Sequence, residues 1–360
     1  MGEAPAPAHV DIEELLRGYD VDDLTVATVC SHTSLQIFHG ARKEGYKTLG
    51  ICLGPQPRFY EAFPRAAPDA FLSIERYTDL LRLEQQLRAQ NVVVIPTGSI
   101  VEYLGADNFL RLRVPTFGNR KVLQWESDRA RQREWLDRAG IPMPRLLPDP
   151  AQIDRPVFVK LHGAKGGRGA FIAKNSAEYY KVNPQVPHTI QEYVVGTRYY
   201  LHFFYSPLSD VGYRCSRGTL QLLGLDRRDE SNVDEMYKLG AQEVLRDLGI
   251  YPSFVVTGNI PVVLRESLLP KVFAMGEAVV ETALDLFGGM IGPFCLETIV
   301  TDKLEFRVFE ISSRIVAGTN LYTTGSPYAD YLADDLSTGR RIAQELRAAA
   351  SKGKLASVLS

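Results

Sequence analysis

The chain has 360 residues, 45% of them hydrophobic, enough to bury more than one core and to predict two or three domains. A formal net charge of −2 excludes bulk electrostatic attraction to nucleic acid or to a membrane surface, so any anion site must be local. The start lacks signal-peptide character, no run of about 18 apolar residues occurs, and Cys30, Cys52, Cys215 and Cys295 have neither zinc nor redox spacing, which together predict a soluble protein of the reducing cytoplasm.

Residues 24–30 form a short β-branched run, followed by a helical pattern over 34–43, Gly45, and a second run over 48–53, which is one βαβ unit. A strand at 70–74, a helix over 78–89 and a strand over 91–96 continue the alternation, predicting a parallel, Rossmann-like α/β sheet. Ligands in such sheets sit beyond the carboxyl ends of the strands. Two polar clusters fall there, 31–34 and 97–99. An Arg/Glu-rich helix is expected over 121–139, stopped by Gly140 and the prolines at 142 and 144. Three domains are expected, at 1–120, 121–200 and 201–360. The second opens on an apolar strand, 157–161, that carries Lys160 into a glycine-rich, basic loop, 162–169, and returns as a strand at 170–173. Strands at 189–194, 199–205 and 219–225 follow, then an apolar helix over 267–286, a hairpin of 294–300 with 304–311, and a closing helix over 338–350.

The loop after Lys160 matches neither the Walker nor the dinucleotide pattern. Gly163, Gly166, Gly167 and Gly169 allow close approach of backbone N–H groups to phosphate oxygens, while Lys160, Lys165 and Arg168 offset their charge. A basic surface hairpin satisfies the same residues. Glu297 and Glu310 interrupt apolar strands, where an unpaired carboxylate costs several kcal/mol by rough reckoning. An even-numbered connection places Glu297 opposite Val308 and on one face with Glu310, a pair suited to Mg²⁺, and a three-residue loop separates them. Pairing with arginines such as Arg307 or Arg314 is the alternative. Residues 191–194 read equally as an edge for adenine or as an amphipathic strand. The polar run 226–232 reads as a solvated turn, and His32 as a ligand-orienting or merely satisfied histidine.

In combination these segments resemble the ATP-grasp ligases, and among them the archaeal formate-dependent synthetases that form FAICAR, the formylated carboxamide ribotide of purine biosynthesis. The resemblance rests on Cys-Ser-His-Thr-Ser-Leu (30–35), Pro-Thr-Gly-Ser (96–99), Phe-Gly-Asn-Arg (117–120), Trp-Glu-Ser-Asp-Arg (125–129), the loop 162–169 and Gln-Glu-Tyr-Val (191–194). It continues through Asp-Arg-Arg-Asp-Glu-Ser-Asn (226–232), 257–269, Gly-Pro-Phe-Cys-Leu-Glu (292–297) and 309–320. It implies an ATP-grasp fold, contact of His32, Ser99 and Asn259 with the ribotide, Glu230 on ATP, and Mg²⁺ or Mn²⁺ on Glu297 and Glu310. The expected ATP site comprises Lys160, Gly166, Gly167, Gly169, Glu192, Tyr193, Val194 and Glu230, with Lys160, Arg168 and Arg314 as catalytic cations. Formate and AICAR, the 5-amino ribotide, are the implied partners, and a homo-oligomer, a hexamer, the implied assembly. Two departures, at 236–245 and in the short 180–189 connection, leave open a paralogue using another acid or amine, or a non-catalytic nucleotide-binding module.

Overall fold

The computed structural model describes residues 10–161, 170–182, 184–231, 248 and 255–360. Strands β1 (Thr25–Val29), β2 (Lys47–Leu53), β3 (Ala70–Ile74) and β4 (Val92–Val94) form a parallel sheet ordered β3-β2-β1-β4. β1 is buried at every position, which explains why its sequence is an unbroken apolar run rather than an alternation. The helix Ser34–Lys43 lies where the 3.6-residue period places it, and Gly45, at φ +80°, turns the chain into β2.

Two expected helices are broken. The segment 78–89 is a 3₁₀ turn, Tyr77–Arg82, followed by the helix Glu84–Ala89. The segment 121–139 splits into Val122–Ser127 and Arg129–Arg138 because Asp128 leaves the helical region. Its carboxylate caps the second helix instead, accepting the N–H groups of Ala130 and Arg131 at 2.8 and 3.1 Å.

The second sheet is antiparallel: β5 (Val157–Leu161), β6 (Ala170–Ala173) and β7 (His188–Glu192), ordered β6-β5-β7. Lys160 pairs with Ala170, so β5 and β6 are the two arms of a hairpin. Its tip, with Gly166, Gly167, Arg168 and Gly169, lies outside the described residues.

The third sheet contains β8 (Thr197–Ser206), β9 (Tyr213–Arg214), β10 (Thr219–Glu230), β11 (Val256–Pro261), β12 (Gly292–Val300) and β13 (Phe306–Ser312), ordered β11-β10-β8-β12-β13 with β9 on β10. Leu201, Phe203, Leu225, Leu296 and Ile311 join one core with Val272, Val279 and Ala283 of the helix Leu269–Phe287. Each large apolar side chain so buried contributes about 1.5–3 kcal/mol. The opposite face buries Phe204 and Leu223 in a second core and carries a polar row beside them, and two departures from the sequence reading shape that row. Residues 226–230 are strand, not a solvated turn, because β11 pairs with them. In β12–β13, residues 301–305 connect Val300 to its partner Phe306, an odd number that would put Glu310 on the wrong face. A β-bulge between Glu297 and Thr298 corrects this: Val308 pairs with Thr298, Phe309 is extra, and Glu310 stands directly opposite Glu297.

The closing helix, Thr338–Ser351, returns to the first layer. It crosses Ser34–Lys43 where glycine meets glycine: a Cβ on Gly40 would lie 2.2 Å from the Arg340 nitrogen, and one on Gly339 would lie 2.3 Å from the Gln36 carbonyl oxygen. Ser360 then exchanges two backbone hydrogen bonds with Thr116, at 3.0 and 2.9 Å. Among the described residues, no helix is long and apolar enough to cross a membrane.

Candidate active site

Directly opposed residues of an antiparallel pair share a face. Asp226 opposes Tyr200, Tyr200 opposes Glu297, and Glu297 opposes Glu310, so four neighbouring strands carry one polar row. Lys160 reaches this row from β5, with its ammonium 5.6 Å from the ring centre of Phe158 and 5.8 Å from that of Phe309. Burial lowers the Lys160 pKa, and the charges of Glu310 and Glu297 oppose that shift. Burial pushes the Glu297 carboxyl up to about 7, with Arg228 pulling it down and Glu310 pushing it further up.

Both glutamates do have arginine neighbours, but not the expected ones. Arg129 donates to Glu310 at 2.8 Å and Arg228 lies 3.6 Å from Glu297, whereas Arg307 pairs with Glu305 and Arg314 with Glu126. The crowded carboxylates fit a hard divalent cation, which would hold both ionised and relieve the repulsion that raises Glu297. The Ser312 hydroxyl adds a neutral oxygen 3.4 Å from Glu297. Among the described residues no cluster of three or more His, Cys, Asp or Glu side chains forms a protein-only cage. Two carboxylates completed by phosphate oxygens is the Mg²⁺-type arrangement.

A second cluster forms at the carboxyl ends of the parallel strands. The loop after β4 joins the segment after β13 through a bridge between Thr97 and Ile315. Gly98 lies close against this cluster: a Cβ there would come within 3.2 Å of both the Arg314 guanidinium and His32 Nε2, so each would have to shift by a few tenths of an ångström. Ser99 Oγ is 3.5 Å from His32 Nδ1. Thr33, next to His32, sits at φ +69°, a left-handed conformation that is unfavourable for a β-branched residue and that accompanies functional sites. His32 is exposed to solvent while its ring faces Arg314 and Ser99 on one side. Partial burial, then Arg314 and Arg228, push its pKa down to about 4, so the ring is neutral and offers one donor and one acceptor.

Residues 125–129 tie the two clusters together across the helix break. Ahead of the break, Glu126 accepts from Arg314 at 2.9 Å and from the Ser313 N–H at 2.7 Å. Behind it, Arg129 grips Glu310, and Gln132 donates to the Ile311 carbonyl at 3.0 Å.

Asn259, on β11 opposite Arg228, donates to the Ala317 carbonyl at 3.5 Å, and its Oδ1 is buried without a partner. The same condition holds for Ser31 Oγ, Thr97 Oγ1, Ser313 Oγ, Arg228 Nε and Arg314 Nε. Buried polar atoms are normally bonded, so these atoms are free to take partners from water or from a polar small molecule. Glu230 ends β10 and accepts from Arg198 at 2.6 Å. At 191–194 the N–H groups of Glu192 and Tyr193 are donated to Arg145 and Pro156 at 2.8 and 3.1 Å, so a base edge would not meet those two donors; half-buried Val194 ends the segment. Glu126, Arg129 and Arg228 lay inside motifs visible in the sequence, yet nothing in their spacing revealed what they touch.

Comparison with known proteins agrees over nearly the whole chain. Residues 26–147 match a family described as a protein of unknown function (DUF1246), and residues 182–360 one described as a domain of unknown function (DUF1297). The chain is 60% identical over 350 residues to a 5-formaminoimidazole-4-carboxamide-1-(beta)-D-ribofuranosyl 5'-monophosphate synthetase of Methanococcoides burtonii, covering 97% of this chain and 98% of that protein. It is 46% identical over 364 residues to the protein of the same name in Korarchaeum cryptofilum, covering 97% and 98%. Among solved structures it resembles an IMP biosynthesis protein PurP from Thermococcus kodakaraensis, with a TM-score of 0.72, 31% identity, and 93% of this chain and 100% of that one covered. An N5-carboxyaminoimidazole ribonucleotide synthetase from Thermotoga maritima, at 16% identity and a TM-score of 0.58 over 90% of this chain and 76% of that one, shares the fold. These neighbours are ATP-grasp proteins.

Proposed function

The chain belongs to the family of archaeal 5-formaminoimidazole-4-carboxamide-1-(beta)-D-ribofuranosyl 5'-monophosphate synthetases, ligases of the ATP-grasp fold, and from that premise we propose that it joins formate to the 5-amino group of AICAR, forming FAICAR, ADP and phosphate. The observation that carries this reading is the run from Glu310 to Arg314. At one end Glu310 faces Glu297 across the strand pair; at the other Arg314 faces His32 and Gly98. A phosphate-handling cluster and a cluster suited to a polar heterocycle therefore lie on one continuous piece of chain.

Formate is a poor acyl donor because its leaving group would be oxide. Attack of a formate oxygen on the γ-phosphorus breaks the bond to ADP and gives formyl phosphate, whose leaving group is phosphate. The amine of AICAR then attacks the formyl carbon, the C–O bond to phosphate breaks, and the amine proton ends on phosphate. Lys160 and Arg168 neutralise and orient the phosphoryl group, and Arg314, aimed by Glu126, faces the junction between the two clusters. A divalent cation on Glu297 and Glu310, which we take to be Mg²⁺ with Mn²⁺ as substitute, supplies charge neutralisation on the phosphates. His32, Ser99 and Asn259 orient the ribotide, and Glu230 with 192–194 serves ATP. We accordingly assign the ribotide side to residues 1–120, the phosphate loop to 121–200 and the metal ligands to 201–360. We further propose a cytoplasmic homo-oligomer, a hexamer. The test is ADP release: it should require formate and AICAR together, and release that is indifferent to formate would contradict the reading.

A further inference from the structure

Four arginines approach the polar row, and three are occupied. Arg129, Arg198 and Arg314 each donate to a carboxylate, at 2.8, 2.6 and 2.9 Å. Arg228 does not. Its nearest carboxylate oxygens, on Glu297 and Asp226, are 3.6 and 3.8 Å away, and its Nε makes no hydrogen bond although the side chain is only 12% exposed. A guanidinium keeps its charge when buried, and a buried charge short of hydrogen bonds is costly, so this group is held in place for something that is to arrive.

Its surroundings fix it on four sides. Beneath lies the Tyr200 ring, with the guanidinium carbon 3.5 Å from the ring centre, a cation–π contact that holds the group in place. Behind lies Asp226, fully buried, with one oxygen bonded to His202 Nε2 and the other unbonded and directed at Arg228. Ahead lies Asn259, its cross-strand partner, and to the side Glu297. Arg228 thus stands between Asn259, assigned to the ribotide, and Glu297, assigned to the metal and phosphates.

We propose that Arg228 binds the small carboxylate substrate, its planar edge receiving the carboxylate oxygens, while Tyr200, Asp226 and His202 act as positioning residues. The inference rests on the functional reading above and gives formate its site. One carboxylate oxygen forms the bond to the γ-phosphorus as the bond to ADP breaks. The other remains on the guanidinium as the carbonyl oxygen, where Arg228 stabilises the negative charge that develops when the amine attacks the formyl carbon.

The test uses Arg228→Gln and Arg228→Lys in the full chain, with steady-state ADP release measured for each substrate in turn and melting temperature as the check on folding. Loss of a charged, two-point contact predicts a rise in the formate KM of about a hundredfold for Gln and about tenfold for Lys, which keeps the charge but not the fork. The KM values for ATP and AICAR should stay unchanged, a split that a merely structural role would not produce. An unchanged formate KM in a folded variant, or a rise in the AICAR KM instead, overturns the inference. Should the Gln variant fail to fold, the Lys variant decides by the same criterion. Wild-type protein that releases ADP without any carboxylate dependence overturns the functional reading and this inference with it, whereas formate-dependent wild type with an unaltered variant overturns only the role of Arg228.

Discussion

Glu310 and Glu297 occupy equivalent places in the row but not equivalent surroundings, and that difference makes their substitutions distinguishable. Glu310→Gln should lower activity by more than the ~10–100-fold that loss of an outer-shell partner costs, because an amide is a weak ligand for a hard cation. Glu297→Gln should be milder, since its neutral oxygen still faces the site while Glu310 keeps its charge. Full activity in Glu310→Gln would remove the metal assignment. The raised pKa of Glu297 adds a pH dependence with a definite sign. Between about pH 4.5 and 7 the folded metal-free protein holds a proton that the unfolded chain has released, so this group's contribution to stability falls as pH rises through that window. Mg²⁺, which needs the ionised pair, should bind progressively more weakly below about pH 7. Melting curves in chelator and in Mg²⁺, at pH 5.5 and 8, should show opposite trends in wild type, and Glu297→Gln should flatten the chelator series. On the ribotide side, His32→Ala should raise the AICAR KM by roughly five- to tenfold, the worth of about one neutral hydrogen bond, and leave ATP affinity alone. A change in ATP binding instead would mean that the two substrates have been placed the wrong way round.

At the level of elements, the site depends on two irregularities that period-based reading cannot see. The bulge at Phe309 sets Glu310 opposite Glu297 despite the odd connection 301–305. Hydrophobic alternation showed that both glutamates interrupt strands, but register is fixed by pairing with a partner strand, which a single segment does not encode. The break at Asp128 was hidden because it falls in the polar middle, 126–134, between the buried Val122 and Leu123 and the buried Trp135 and Leu136, where there is no apolar stripe to interrupt; only the capping residue marks it. β11 was missed for a related reason, since Gly258, Asn259 and Pro261 carry turn chemistry and the strand forms because β10 offers a ladder. Regular elements were legible. The helices Ser34–Lys43 and Thr338–Ser351 and the parallel strands lie where their periods place them. Asp128→Ala tests the break: losing the cap should cost about 1 kcal/mol of stability, while slackening Glu126 and Arg129 should cost more in kcat than that figure explains. A variant with reduced melting temperature and intact kcat would show that the cap matters for folding alone.

Across the whole molecule, the residues in question come from all three sheets, and the chain is threaded so that none of the layers completes the arrangement alone. Lys160 arrives from the small sheet, His32 and Ser99 from the parallel layer, and Arg228, Asn259, Glu297 and Glu310 from the large sheet. The closing helix locks onto the first layer through the Gly40–Gly339 crossing, which joins the beginning of the chain to its end. Such an assembly of distant groups was legible only as a set of motifs, because the sequence lists them in an order unrelated to their distances. On the proposed function, the assembly transfers phosphate from ATP to formate before the amine attacks. Formate labelled with ¹⁸O at both positions, supplied with ATP and AICAR, tests that order directly by mass spectrometry of the inorganic phosphate. One label in phosphate and the other retained in the formamide of the product is the predicted result, because the oxygen that bridges carbon and phosphorus in formyl phosphate leaves with phosphorus. Unlabelled phosphate would exclude the acyl phosphate route, and with it the reason for gathering Lys160, Glu297 and Glu310 around one transferring phosphoryl group.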